Sequence, residues 1–123
     1  MSTAVNTAHR PNWLTFDLSG TRYAVAMRQV VRVAEVPALH PLPGDLECNL
    51  GVAVHEGVVL GILDLEVVLD MRPVHRRPPG DFTCIFGRFA RGVAGFPVDA
   101  LLGLERSSDG FTVVDLEELE PSR

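Results

Sequence analysis

The chain has 123 residues and a mass of 13.4 kDa, which suits one domain, or two very small barrels on a shared core, because independent domains usually take about 100 residues each. With 46% hydrophobic and 22% charged residues it has ample material for a packed interior, and a net charge of -5 supplies no basic field for nucleic acid. All eleven basic residues are arginine, which excludes chemistry that needs a lysine: a Schiff base, a P-loop contact, a biotin attachment.

Residues 1–11 are polar, lack an apolar signal core and are expected to form a flexible arm rather than an address. Leu14, Phe16 and Leu18 alternate with Thr15 and Asp17, and Ser19-Gly20 offers a turn before Tyr23-Ala-Val-Ala, so a β-hairpin with one buried face is predicted. Pro37, Pro41, Pro43 and Gly44 then make a loop, and Asp45 is placed to cap a one-turn helix through Cys48. Val58 to Leu63 reads as a fully buried strand, and Asp64 to Leu69 as a short helical turn with Leu65, Val68 and Leu69 on one face. A stiff Pro-rich linker at 73–80 follows. A second hairpin is predicted from Phe82–Phe86 and Gly92–Val98 around Gly87-Arg88, with Pro97 marking an edge or a bulge. Residues 120–123 are expected to form a C-terminal tail.

The halves echo one another. At an offset of 68, Leu14–Leu18 falls on Phe82–Phe86 and Val30 on Val98; at an offset of 51, Asp64-Leu65-Glu66 recurs as Asp115-Leu116-Glu117. Between the matched pieces the first half holds residues 37–56 and the second only 105–109, so the second unit is cut short. Many short strands with little helix point to barrels, with residues 12–72 mainly in the first and 81–119 mainly in the second.

Nothing in the chain assembles a catalytic or metal site. His55-Glu56 lacks the second histidine of a zinc helix, because position 59 is Val, and His9, His40, His55 and His75 have no ligand spacing. Ser19 has no nucleophile-elbow context, Cys48 and Cys84 read as reduced core thiols, and the repeated Asp64 and Asp115 read as caps. His75-Arg76-Arg77 is read as solvated charge, and no apolar run approaches the roughly 20 residues of a membrane span. A cytoplasmic location is expected, with no membrane insertion, cofactor or metal.

The stretch from Trp13 through Tyr23 and Met27 to Val33 resembles the opening of CheW-like chemotaxis coupling proteins. Gly51-Val52 to Gly57 and Val58 to Leu65 are similar to that family's "GVxNLRG" segment with its apolar strand and "DL", and Gly92 to Asp99 to its "VD" strand. The resemblance spans residues 13–119. It implies an all-β fold of two small SH3-like five-stranded barrels on a common core, the second truncated. It also implies a non-catalytic adaptor that couples the cytoplasmic tips of chemoreceptors to a CheA-type histidine kinase within receptor arrays. The family's receptor-binding groove maps onto Met27, Val30, Val33 and Val98. Where the family has "NLRG" this chain has Val54-His55-Glu56-Gly57, and Arg32 stands where the family tends to carry Glu, so Arg32 and Glu56 are expected to form the family's ion pair with its charges swapped. The short second half predicts retained receptor binding, weakened kinase contact, contact through another coupling protein instead, and an exposed edge open to homodimerisation. The rival expectations are an ordinary receptor-to-kinase bridge, and a small-molecule-binding barrel or orphan enzyme with a pocket lined by Cys84, Tyr23 or a histidine.

Overall fold

The computed structural model describes residues 12–37, 39–40, 49–69 and 81–119. Among the described residues nine strands alternate with very little helix: β1 (Trp13–Leu18), β2 (Thr21–Ala26), β3 (Val30–Val36), β4 (Asn49–His55), β5 (Val58–Leu63), β6 (Phe82–Phe89), β7 (Gly92–Val98), β8 (Ala100–Glu105) and β9 (Thr112–Val114). The single turn of helix α1 (Leu65–Val68) follows β5, and 3₁₀ turns occupy Met27–Gln29 and Leu116–Glu118. Both expected hairpins form. Ser19 and Gly20 both take positive φ, as does the Glu56-Gly57 pair joining β4 to β5, the conformation that matches a two-residue turn to the twist of its strands.

The strands make a four-stranded sheet ordered β8-β1-β2-β9 and a five-stranded sheet ordered β3-β6-β7-β5-β4. The sheets therefore do not follow the expected division into residues 12–72 and 81–119. After the first hairpin the turn at Met27–Gln29 redirects the chain, and β3 pairs with β6 of the second hairpin; β8, leaving the second hairpin, pairs with β1 of the first. β5 lies parallel to β7 and β9 parallel to β2. Each hairpin is completed by strands from the other half, which makes the two units inseparable.

The registers reveal the true repeat. Ser19-Gly20 falls on Ala90-Arg91, an offset of 71, not 68. At 71, β3 falls on β8 and their bulges at Val31 and Leu102 coincide. Ile62 opposes Gly95 as Val113 opposes Ala24, so β5 falls on β9 at an offset of 51. The offsets differ by 20 residues (71 less 51), which are residues 37–56, and these contain β4. Among the described residues β4 has no counterpart in the second unit, so β9 is a sheet edge where β5 is covered.

One apolar cluster lies between the sheets and is shared by them: Leu14, Phe16 and Tyr23 from one, Ile85, Phe96 and Val98 from the other, closed by Leu65 and Leu116. Phe16 stacks on Tyr23 and meets Phe96 across the sheets with ring centres 5.6 Å apart. Burial of each such side chain contributes about 1.5–3 kcal/mol. A second cluster, with Leu50, Ala53, Ile62, Phe82, Cys84 and Phe86, fills the curl of the five-stranded sheet. The repeated Asp-Leu-Glu tripeptides close β5 and β9 in the same way. Asp64 accepts a hydrogen bond from the Glu66 N–H and Asp115 from the Glu117 N–H, while Leu65 and Leu116 plug the shared core.

Four expectations need correction. The all-β expectation holds, but neither sheet closes its hydrogen-bond ladder into a barrel among the described residues. The second hairpin turns at Ala90-Arg91, because Gly87 sits inside β6, where a Cβ would collide with Leu116. β5 is buried only at Ile62 and Leu63, since Val58 and Val59 project beyond the core with the β4–β5 turn. The fourth is the half-to-barrel assignment corrected above. Pro97 stands in β7 beyond Gly95, where β5 no longer pairs with it, so its missing N–H costs nothing there. The arm at 1–11, the Asp45–Cys48 helix, the linker at 73–80 and the tail at 120–123 lie outside the described residues.

Cys84 is a buried free thiol, and burial pushes its pKa up to about 12. The unfolded chain releases this proton near pH 9 and the folded chain only near 12, so stability falls as pH rises through that window, by up to about 1.4 kcal/mol per pH unit. Urea melts of a Cys48→Ser variant at pH 8 and pH 10.5 are expected to show that loss, largely removed by adding Cys84→Ala.

Candidate functional site

Met27 lies in the 3₁₀ turn after β2, Val30 opens β3 and Val33 sits mid-strand, so the three follow one another along a single edge of the five-stranded sheet. Met27 and Val33 are each 36% exposed, and Val31, thrown out by the bulge, is exposed as well. Val30 is half-buried against the shared core. Val98 is buried in that core at the end of β7, two strands from β3 on the face that carries Val33. The four predicted residues thus divide into two at the surface, Met27 and Val33, one half-buried, Val30, and one in the shared core, Val98.

The turn that presents Met27 is braced by a residue with no sequence signature. Gln29 is buried; its amide donates to Asp115 Oδ1 at 2.6 Å and to Glu117 Oε1 at 3.3 Å, and its carbonyl accepts from the Leu116 N–H at 2.9 Å. The cap Asp115 and the turn that it starts, in the second half, thereby hold the turn of the first.

Arg32 and Glu56 meet. The guanidinium donates to Glu56 Oε2 at 2.6 Å, joining β3 to the β4–β5 turn across the open ends of the five-stranded sheet. Their side chains are 45% and 62% exposed, so the pair is screened and contributes at most about 1 kcal/mol to folding.

The repeat exposes a second strip that the sequence reading missed. At the offset of 71, Met27 falls on Val98, Val30 on Leu101 and Val33 on Leu104, and both leucines are exposed on the edge strand β8. Arg28 falls on Asp99, which reverses the charge beside the strip. An offset of 68 hides this match by slipping the strands three residues out of phase.

Tyr23 and Cys84 are sealed in the two cores and line no opening. Burial and the nearby Glu66 carboxylate push the Tyr23 pKa up. Among the described residues no group of three His, Cys, Asp or Glu is placed to hold a metal, and no helix is long and apolar enough to cross a membrane.

The family model of the CheW-like domain matches residues 12–110. The chain belongs to the CheW-like domain family. CheW-like proteins are non-catalytic scaffolds of chemotaxis signalling, and this member is a coupling adaptor rather than an enzyme. Among solved structures, the scaffolding protein TtCheW from Thermoanaerobacter tengcongensis superposes on 80% of this chain and 68% of its own, with a TM-score of 0.62 at 20% identity. No curated protein matches the chain. The CheW-like fold places Met27 in the turn before the edge strand β3 and Val30 and Val33 on that strand, beside the core that the two sheets share.

Proposed function

We propose that the chain recruits chemoreceptors to a signalling array on the cytoplasmic side of the membrane, and that an apolar helix of the receptor tip docks on Met27 and Val33 above a floor of Val30 and Val98. The missing counterpart of β4 removes one of the two barrel ends that a CheW-like adaptor offers to a histidine kinase, so direct kinase contact is weakened. The observation that carries this reading is the exposed apolar run along the turn and β3, with the turn braced by the hydrogen bonds of Gln29. Helix-in-groove docking uses apolar anchors spaced in this way.

Binding of a purified receptor signalling tip and of a separate kinase regulatory domain, measured by titration calorimetry, tests both parts. Tip binding with kinase affinity at least tenfold weaker is expected. Equal affinity for both partners identifies an ordinary bridge instead, and binding to neither ends the reading. Met27→Glu with Val33→Glu should weaken the tip at least tenfold, about 1.4 kcal/mol, without lowering the melting temperature. Exchanging Arg32→Glu with Glu56→Arg should keep stability within about 1 kcal/mol while altering partner affinity, because a reversed pair preserves its attraction and inverts the field a partner meets.

A further inference from the structure

The two units offer an internal comparison between a covered strand and an uncovered one. In the first, β4 runs antiparallel to β5 and brings Leu50 and Ala53 into the cluster that buries Ile62 completely. In the second, β9 occupies the place of β5 and Val113 the place of Ile62, yet Val113 is 50% exposed. The neighbouring strands point the same way. Val113 shares its face with Thr15 and Ala24, which correspond to Phe86 and Gly95, so the large ring that fills the first curl is replaced by a small polar side chain. Among the described residues no strand pairs with the outer edge of β9.

We propose that this edge accepts, in trans, a β-strand of a partner protein that runs antiparallel to β9, lays apolar side chains over Val113 as β4 lays Leu50 and Ala53 over Ile62, and carries basic residues at its ends. The orientation follows from the β4–β5 pair. The apolar face follows from the uncovered Val113. The basic ends follow from Asp109 before β9 and Glu118 after it, both exposed, which leave a carboxylate at each end of the slot, while Asp115 and Glu117 are turned to Gln29. A second copy presenting its own β9 brings the same carboxylates against these, which disfavours a homodimer by this route. Strand addition of this kind gains main-chain hydrogen bonds along the edge and selectivity from alternate side chains. The slot lies on the four-stranded sheet, and the Met27–Val33 strip on the five-stranded one.

The test is a titration of the isotopically labelled full chain with a synthetic peptide that has the sequence of residues 49–55 and two lysines at each end, followed by amide shifts and hydrogen exchange. Saturating shifts across Thr112, Val113 and Val114, with slowed exchange at those β9 amides that point away from β2, are expected. Val113→Glu in the protein, or glutamates in place of the peptide's lysines, should each weaken binding at least tenfold, and the affinity should fall as salt is raised. Four outcomes overturn the proposal: no shift at β9 with millimolar peptide; shifts confined to the β4 or β8 edge; a dimer of the free protein that Val113→Glu dissociates, which makes a second copy the occupant; or β9 amides that point away from β2 already slow to exchange before peptide is added, which makes the occupant a segment of this chain.

Discussion

Gly95→Ala is expected to destabilise the fold by roughly 3 kcal/mol, the upper end of what overpacking a filled core costs. A Cβ at position 95 would lie 2.6 Å from Cys84 Sγ and 2.7 and 2.8 Å from two ring carbons of Phe86, all three of them inside the second cluster. None is the free end of a flexible side chain: the thiol is fully buried and the ring is fixed among Leu50, Ala53 and Ile62. Cys84→Ala removes one of the two obstacles and Phe86→Leu opens the other, so each should restore part of the loss to the Gly95→Ala background while costing stability alone. The corresponding position in the second unit makes the control. Ala24 already carries a Cβ there because its neighbour is Thr15 in place of a phenylalanine, and Ala24→Gly should cost only about 1 kcal/mol, the backbone penalty of glycine in a strand. Urea midpoints of the variants check the series, and a Gly95→Ala protein as stable as the parent would show that the ring and thiol retreat freely.

That contrast between Gly95 and Ala24 depends on a correspondence only partly legible in the sequence. Both hairpins, the capped Asp-Leu-Glu closures and the shortening of the second unit rest on local signals: period-two alternation, a Ser-Gly turn, a tripeptide that ends each time on the same backbone N–H. Such signals are readable along the chain. Strand exchange is not, because alternation reports which face of a strand is buried and is silent on which strand lies beside it. The offset of 68 matches apolar residues to apolar residues and ignores the turns; Gly87 has the look of a turn glycine but serves a close approach to Leu116 inside β6. At the candidate site, Met27, Val30, Val33 and Val98 come from the family resemblance. Val98 is a core residue, a distinction that composition along one strand does not carry. Leu101 and Leu104 are in plain view as apolar residues near a VD motif, but only the correct offset relates them to Val30 and Val33.

Gln29→Glu should be the most informative single substitution beneath the proposed docking strip, and its effect should depend strongly on pH. The amide is the donor to Asp115 at 2.6 Å and Glu117 at 3.3 Å, so a carboxylate of the same shape replaces two attractive contacts with two repulsive ones in a buried setting. Loss of the donor alone is worth about 1–3 kcal/mol. The like charges add to it, and the new carboxyl is held above the ordinary carboxylate range by both burial and its neighbours. Between the unfolded pKa and that raised value the folded state binds the extra proton and the unfolded state does not, so stability falls as pH rises through the window and returns on acidification. Once protonated, the introduced carboxylic acid is also chemically close to the amide it replaces: its O–H can donate to Asp115 while the other oxygen accepts from the Leu116 N–H. Gln29→Leu lacks both functions and leaves the Leu116 N–H without its acceptor at every pH. Guanidinium melts between pH 4.5 and 7.5 should therefore show a stability gap between parent and Gln29→Glu that narrows toward acid, beside a Gln29→Leu gap that stays level. Because the Gln29 turn carries Met27, the proposed receptor-tip binding should, in the Gln29→Glu variant, recover over the same pH interval, which would tie the brace between the halves to the surface that it positions.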